Sequence, residues 1–168
     1  MTKKISNALR VKLRRIKLVI TDADGVLTDG GMYYSKNGEE LKKFNTKDGM
    51  AVELLNKANI GTIIVTREKS ETVQQRGKKI KVLETIIGIH EKEKLLESIC
   101  RKYKVLPDEV VYVGDDVNDL FIMKMVGVSC APMDSVEAIK KIADYTCKKK
   151  GGEGVLREVS EIIFSCKK

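Results

Sequence analysis

Two aspartates one residue apart, Asp22 and Asp24, end an apolar run in LVITDADGVLTDGG, residues 18–31. Carboxylates that close repel each other unless a cation lies between them. A second acidic cluster, GDDVND from Gly114 to Asp119, ends another apolar run, VVYV. Between the two fall Thr66, at the end of TIIVT, and Lys92. These residue types suit phosphoryl transfer. A phosphate ester is anionic and repels a carboxylate nucleophile, so a hard divalent cation must neutralise both. Mg2+ takes oxygen ligands in octahedral geometry. Asp22 and Asp115 can offer carboxylates, Asp24 its backbone carbonyl, and phosphate and water the remainder. Asp22 can then attack phosphorus, while Asp24 protonates the leaving oxygen and later takes a proton from water. Lys92 and the Thr66 hydroxyl can hold the phosphate oxygens, where charge gathers.

Such a site must be positioned by a fold. The 168 residues are 42% hydrophobic and 33% charged, which fits one globular domain with a real core. Apolar runs alternate with helical patterns. Strands are expected at 16–21, 61–66, 83–87, 110–113, 127–131 and 144–147. Helices are expected at about 48–58 with Asp48 as N-cap, 70–80 with Ser70 as N-cap, 91–103, 117–126, 135–142 and 155–165. This alternation indicates an α/β fold, a doubly wound parallel sheet covered on both faces. In such sheets ligands bind beyond the carboxyl ends of the strands, where the acidic clusters fall. Segment 29–46 has no helical period. Its Asn37-Gly38 pair, flanked by Met32-Tyr33-Tyr34 and Leu41-Lys42-Lys43-Phe44, predicts a β-hairpin.

Composition excludes several classes. No apolar run is long enough to span a bilayer, and no signal peptide is read in the basic start. Cys100, Cys130, Cys147 and Cys166 form no C-x-x-C pair, so reduced thiols in a cytoplasm are the expectation. One histidine, His90, rules out multi-histidine metal sites. The net charge of +8 suits an anionic ligand, but with no Trp and lysines spread along the chain, no nucleic-acid partner is expected.

DADGVLTDG with GDDVND resembles the first and last motifs of the haloacid dehalogenase superfamily of aspartate-based phosphatases. Thr66 and Lys92 fall where that family's second and third motifs belong. The resemblance implies Asp22 as nucleophile, Asp24 as acid/base and Asp115 as a magnesium ligand, with Asp119 orienting Lys92 or metal-bound water. No room is left for a cap domain. The hairpin and KKKGGEGVLREV (148–159) resemble those of the 3-deoxy-octulosonate 8-phosphate phosphatase family, whose hairpins assemble a tetramer and whose neighbouring subunits help cover the site. A homotetramer acting on a small sugar acid phosphate is therefore implied. One departure concerns the second motif, Thr66-Arg67-Glu68, where the octulosonate enzymes usually read Thr-Gly-Arg. Glu68, with Lys79 on the next helix, resembles the branch acting on nine-carbon 2-keto-3-deoxynononate and N-acylneuraminate 9-phosphates, so the nine-carbon substrate is favoured over the eight-carbon one. Arg76 and Lys79 can reach the substrate's acid group or form a solvated helix face. A polynucleotide end phosphatase and a non-catalytic assembly module stay open as alternatives.

Overall fold

Short runs of β-branched and aliphatic residues form the centre of the molecule, in a computed structural model that describes residues 5–167. Six parallel strands make one sheet in the order β5-β4-β1-β6-β7-β8: β1 Leu18–Thr21, β4 Gly61–Val65, β5 Glu84–Ile86, β6 Val110–Val113, β7 Val128–Ala131 and β8 Tyr145–Thr146. Every residue of β1, β6 and β7 is buried, as expected of strands covered on both faces. Side chains alternate across the sheet. Val19, Ile64, Val111, Val113 and Val128 pack on one side, against α1 (Asn7–Arg14), α2 (Thr46–Lys57) and α7 (Val155–Lys167). Leu18, Ile20, Ile63, Val110 and Tyr112 face the other, against α4 (Leu96–Tyr103), α5 (Leu120–Met123) and α6 (Glu137–Ile142). Helix α3 spans Glu71–Ile80. No helix among the described residues is long and apolar enough to cross a membrane, and the four cysteines are free and buried.

The alternation read from the sequence is the fold observed, with local corrections. Helix α1 was not anticipated, because its lysines and arginines mask two core positions, Leu9 and Leu13. Asp48 does not cap α2. Asn45 does, accepting from the Lys47 N–H, and Asp48 instead turns inward to cap α7, accepting from the Arg157 N–H at 3.0 Å. Ser70 caps α3 as expected. The expected helix 117–126 is a 3-10 turn followed by the short α5, and 91–103 is a 3-10 turn at Lys92–Leu95 followed by α4.

The hairpin is present as β2 (Tyr33–Ser35) and β3 (Gly38–Leu41), an antiparallel pair apart from the main sheet. Its corner lies at Lys36-Asn37, one residue earlier than expected, and the positive φ belongs to Gly38 rather than to Asn37. A bridge between Thr28 and Phe44 ties the hairpin's base to the loop after β1. The chain leaves β1 for β4 and β5 on one side, then crosses to β6 on the other. That reversal places the carboxyl ends of β1 and β6 side by side, where a doubly wound sheet opens its crevice.

Candidate active site

Asp22 follows β1 directly, and its backbone N–H donates to Val113 at the end of β6. Its carboxylate is 4% exposed. Oδ1 accepts from the Ala23 N–H at 2.6 Å, and Oδ2 is 2.7 Å from the Lys92 ammonium. Lys92 comes from the 3-10 turn after β5 and is fully buried. It also donates to Asp119 Oδ1 at 2.7 Å. Asp119 accepts in addition from the Tyr112 hydroxyl at 2.6 Å and, through Oδ2, from the Asp115 N–H at 3.0 Å. Asp119 is thereby committed to holding Lys92 and the loop after β6. Asp22, Asp115 and Asp119 present carboxylate oxygens all within 4.8 Å of one another.

One ammonium against three carboxylates leaves the cluster short of positive charge. Burial, then the charge of Asp119, pushes Asp22 up to about 7 despite Lys92 and the Ala23 N–H. Burial and the charges of Asp22 and Asp119 push Asp115 up to about 8. For Lys92, burial alone would favour the neutral amine, but the charges of Asp22 and Asp119 win and its pKa is raised. An all-oxygen donor set starved of positive charge fits a hard divalent cation. Asp115 and Asp22 are the members able to hold it: each Asp22 oxygen accepts one hydrogen bond and keeps a lone pair, whereas Asp119 Oδ1 already accepts two. Gly25, at φ +76°, is required by this approach: a Cβ there would lie 2.0 Å from Asp115 Oδ2.

A cleft of about 320 Å3 opens over the cluster, lined among others by Asp22, Asp24, Thr66, Glu68 and Asp115. Thr66 is 1% exposed, just past β4, and its Oγ1 lies 3.4 Å from the Glu68 N–H. Glu68 is exposed at the rim, beside Arg67, which lines the same cleft. The sequence-derived set Asp22, Asp24, Thr66, Glu68, Lys92, Asp115 and Asp119 is thus brought together. Arg76 and Lys79 are not. They line a separate groove with Gly49 and Glu53, because α3 turns that face away from the carboxyl edge. Arg76 donates to the Asn45 carbonyl at 2.9 Å and lies over the Phe44 ring, bracing the hairpin's exit. A larger groove of about 670 Å3 beside α7 contains none of the clustered carboxylates.

Three contributors escaped sequence reasoning. Tyr112 carries the only hydroxyl in VVYV, and a phenol inside a fully buried strand was the available signal. Lys42 was read only as part of a hairpin flank, yet its side chain is fully buried against Asp24. Gly151-Gly152, in the segment KKKGGEGVLREV, packs against the acidic loop of its own chain: the Gly152 N–H donates to Val26, and a Cβ on Gly151 would lie 2.2 Å from the Gly25 carbonyl oxygen.

The sequence profile of the haloacid dehalogenase-like hydrolases matches residues 11–159. The 3-deoxy-D-manno-octulosonate 8-phosphate phosphatase of Salmonella typhi is 35% identical over 160 residues, covering 95% of this chain and 85% of that one. Among solved structures, the cobalt-bound deoxy-D-mannose-octulosonate 8-phosphate phosphatase of Haemophilus influenzae superposes with a TM-score of 0.90 at 33% identity, covering 93% of this chain and 91% of the other. The Moraxella catarrhalis 3-deoxy-D-manno-octulosonate 8-phosphate phosphatase, in complex with magnesium, phosphate and KDO, gives 0.92 at 31% identity, covering 96% and 92%. The family's profile and these alignments run across the same strand ends that gather Asp22, Lys92 and Asp115, and the chain belongs to the haloacid dehalogenase-like hydrolases.

Proposed function

We propose that this protein is a Mg2+-dependent phosphatase that removes the terminal phosphate of a 2-keto-3-deoxy sugar acid. The observation that carries the reading is the convergence of Asp22, Asp115 and Asp119 on Lys92 at one sheet edge. Asp22 and Asp115, with the Asp24 backbone carbonyl, would hold Mg2+, which supplies charge neutralisation for an anionic ester. An Asp22 oxygen attacks phosphorus, and the bond from phosphorus to the sugar oxygen breaks as Asp24 gives that oxygen its proton. The aspartyl-phosphate is then opened by a water whose proton returns to Asp24, releasing phosphate and restoring Asp22. Lys92 and Thr66 hold phosphate oxygens, and Asp119 with Tyr112 keeps Lys92 in place.

The eight-carbon 3-deoxy-D-manno-octulosonate 8-phosphate becomes the first substrate to test, since the named relatives act on it. This reverses the order drawn from the second motif alone. Nine-carbon acid phosphates are the second reading, supported by Glu68 at the rim of the cleft. A glutamate accepts hydrogen bonds from sugar hydroxyls but repels a carboxylate. Arg67 beside it supplies a cation able to meet the acid group. Exposed Tyr33, Tyr34 and Leu41 on the hairpin support assembly into a homotetramer, which light scattering after size exclusion checks. Side-by-side phosphate release from octulosonate, nononate and neuraminate phosphates is the deciding experiment. The expected outcome is metal-dependent turnover with at least one strongly preferred. Equal or zero rates on all three would overturn the assignment, and salt-sensitive release from 3′-phosphorylated DNA would favour a polynucleotide phosphatase instead.

A further inference from the structure

Lys42 has no part in the chemistry above, yet it is the buried cation nearest to Asp24. Its side chain is fully buried, and its ammonium lies 2.6 Å from Asp24 Oδ1 and 2.9 Å from Glu39 Oε2. Glu39 accepts in turn from the Ser70 hydroxyl, and that Oγ accepts from the Val73 N–H as the cap of α3. A continuous chain therefore runs from the first turn of α3, through two residues of the hairpin, to a carboxylate lining the cleft. Asp24 Oδ2 is enclosed and has no partner in the fold.

We propose that Lys42 is a positioning residue for Asp24, fixing by its grip on Oδ1 the orientation in which the acid/base carboxyl lines the cleft. The hairpin is then a working part of the site, since Glu39 and Lys42 carry the position of β3 to the reacting groups. Burial alone would drive Lys42 toward its neutral form, but the hydrogen bonds and charges of Asp24 and Glu39 outweigh it and keep the ammonium charged. A cation held by two carboxylates away from water is anchored, so its geometry is imposed on whichever partner is freer to move. Glu39 is tied by Ser70 at its other oxygen. Asp24 has only a long 3.5 Å contact from the Thr28 hydroxyl besides Lys42. Asp24 is the member that Lys42 orients.

The inference rests on the reading of Asp24 as acid/base, and the test separates the two. A general acid matters for an alkoxide leaving group and little for a weakly basic phenolate, so the informative quantity is the ratio of kcat/KM on a sugar or other alkyl phosphate to that on p-nitrophenyl phosphate. Asp24→Asn should lower this ratio by about 100-fold, within the range of general acid catalysis. Lys42→Met should lower it by about 10- to 100-fold, the loss expected when a catalytic group is displaced by about 1 Å. Lys42→Arg should recover part of the loss, and Glu39→Gln should show a smaller loss of the same sign, which also serves if Lys42→Met folds poorly. An unchanged ratio in Asp24→Asn overturns the acid/base reading and the proposal with it. A lowered ratio in Asp24→Asn with unchanged ratios in the Lys42 and Glu39 variants overturns the proposal alone. Equal losses on both esters in those variants would mark a merely structural lysine and also overturn it.

Discussion

Asp48 offers a quantitative test of the electrostatics that join α2 to the C-terminal segment. Its carboxylate is 2% exposed, Oδ1 accepts from the Arg157 N–H at 3.0 Å, and Oδ2 is buried without a partner. Burial pushes its pKa from 3.8 up to about 6, outweighing the N–H groups of Arg157 and Leu156 and the charge of Arg76. Because the folded value lies above the unfolded one, the native state binds more protons between the two. Stability is therefore greatest below the lower value and falls as pH rises through the window. At about 1.36 kcal/mol per pH unit, the rise from 3.8 to about 6 makes the ionised group cost about 3 kcal/mol once both states are deprotonated. Asp48→Asn keeps an oxygen acceptor for α7 and carries no charge. Its stability relative to wild type should improve by about 2 kcal/mol between roughly pH 4 and roughly pH 7.5. Urea unfolding of both proteins at several pH values measures this directly, because all other titrating groups cancel in the difference. Asp48→Ala, which also removes the acceptor, should share the pH dependence of Asp48→Asn and lie about 1 kcal/mol below it at every pH. Stability curves for wild type and Asp48→Asn that run parallel from acid to neutral pH would refute the reasoning.

Other outcomes are expected at the site itself. Tyr112→Phe removes the 2.6 Å hydrogen bond to Asp119 and should cost about 1.5–3 kcal/mol in urea unfolding, with kcat falling while KM holds; unaltered stability would contradict the role given to the phenol. Gly151→Ala sets a methyl group 2.2 Å from the Gly25 carbonyl oxygen and must displace the acidic loop, so kcat should drop about 10- to 100-fold; wild-type turnover would show that the loop is not braced there. Chelation should abolish phosphate release from wild type and added Mg2+ restore it, whereas Asp22→Asn should be inactive in both states. Metal-independent turnover would contradict the site.

How much the sequence disclosed follows from the range of the interactions involved. The strand ends at Asp22, Thr66 and Asp115 are legible because an apolar run stopping at a polar residue is a local pattern, and parallel topology aligns such ends at one edge. Asp48 was misassigned because a helix start seen along the chain shows only its own N–H groups. The N–H groups it caps belong to Arg157 and Leu156, more than a hundred residues away. Of the two readings of Arg76 and Lys79, their place in a groove apart from the cleft accords with the helix face, and the choice was not legible for a related reason: spacing on α3 tells which residues share a face, but not toward which end of the sheet that face is turned. Gly151-Gly152 is a close contact with the acidic loop, and sequence alone does not separate glycine kept for close approach from glycine kept for flexibility.

The +8 charge and the chemistry of the cleft point in opposite directions. Asp22, Asp24, Glu68, Asp115 and Asp116 line the cleft, and Arg67 is the cation among the described residues that lines it with them. Lys42 and Lys92, which come closest, are buried behind the lining and each is divided between two carboxylates. Buried pairs of this kind contribute little net stability relative to apolar packing, because desolvation offsets their attraction. What they contribute is position: Lys92 fixes Asp22 against Asp119, and Lys42 fixes Asp24 against Glu39. The two carboxylates to which the proposed function gives separate tasks are thus each held by a different lysine, one arriving from the core after β5 and one from the hairpin. An anionic ester entering this cleft meets net negative charge, so its affinity depends on the divalent cation held there and not on the lysine-rich surface around it.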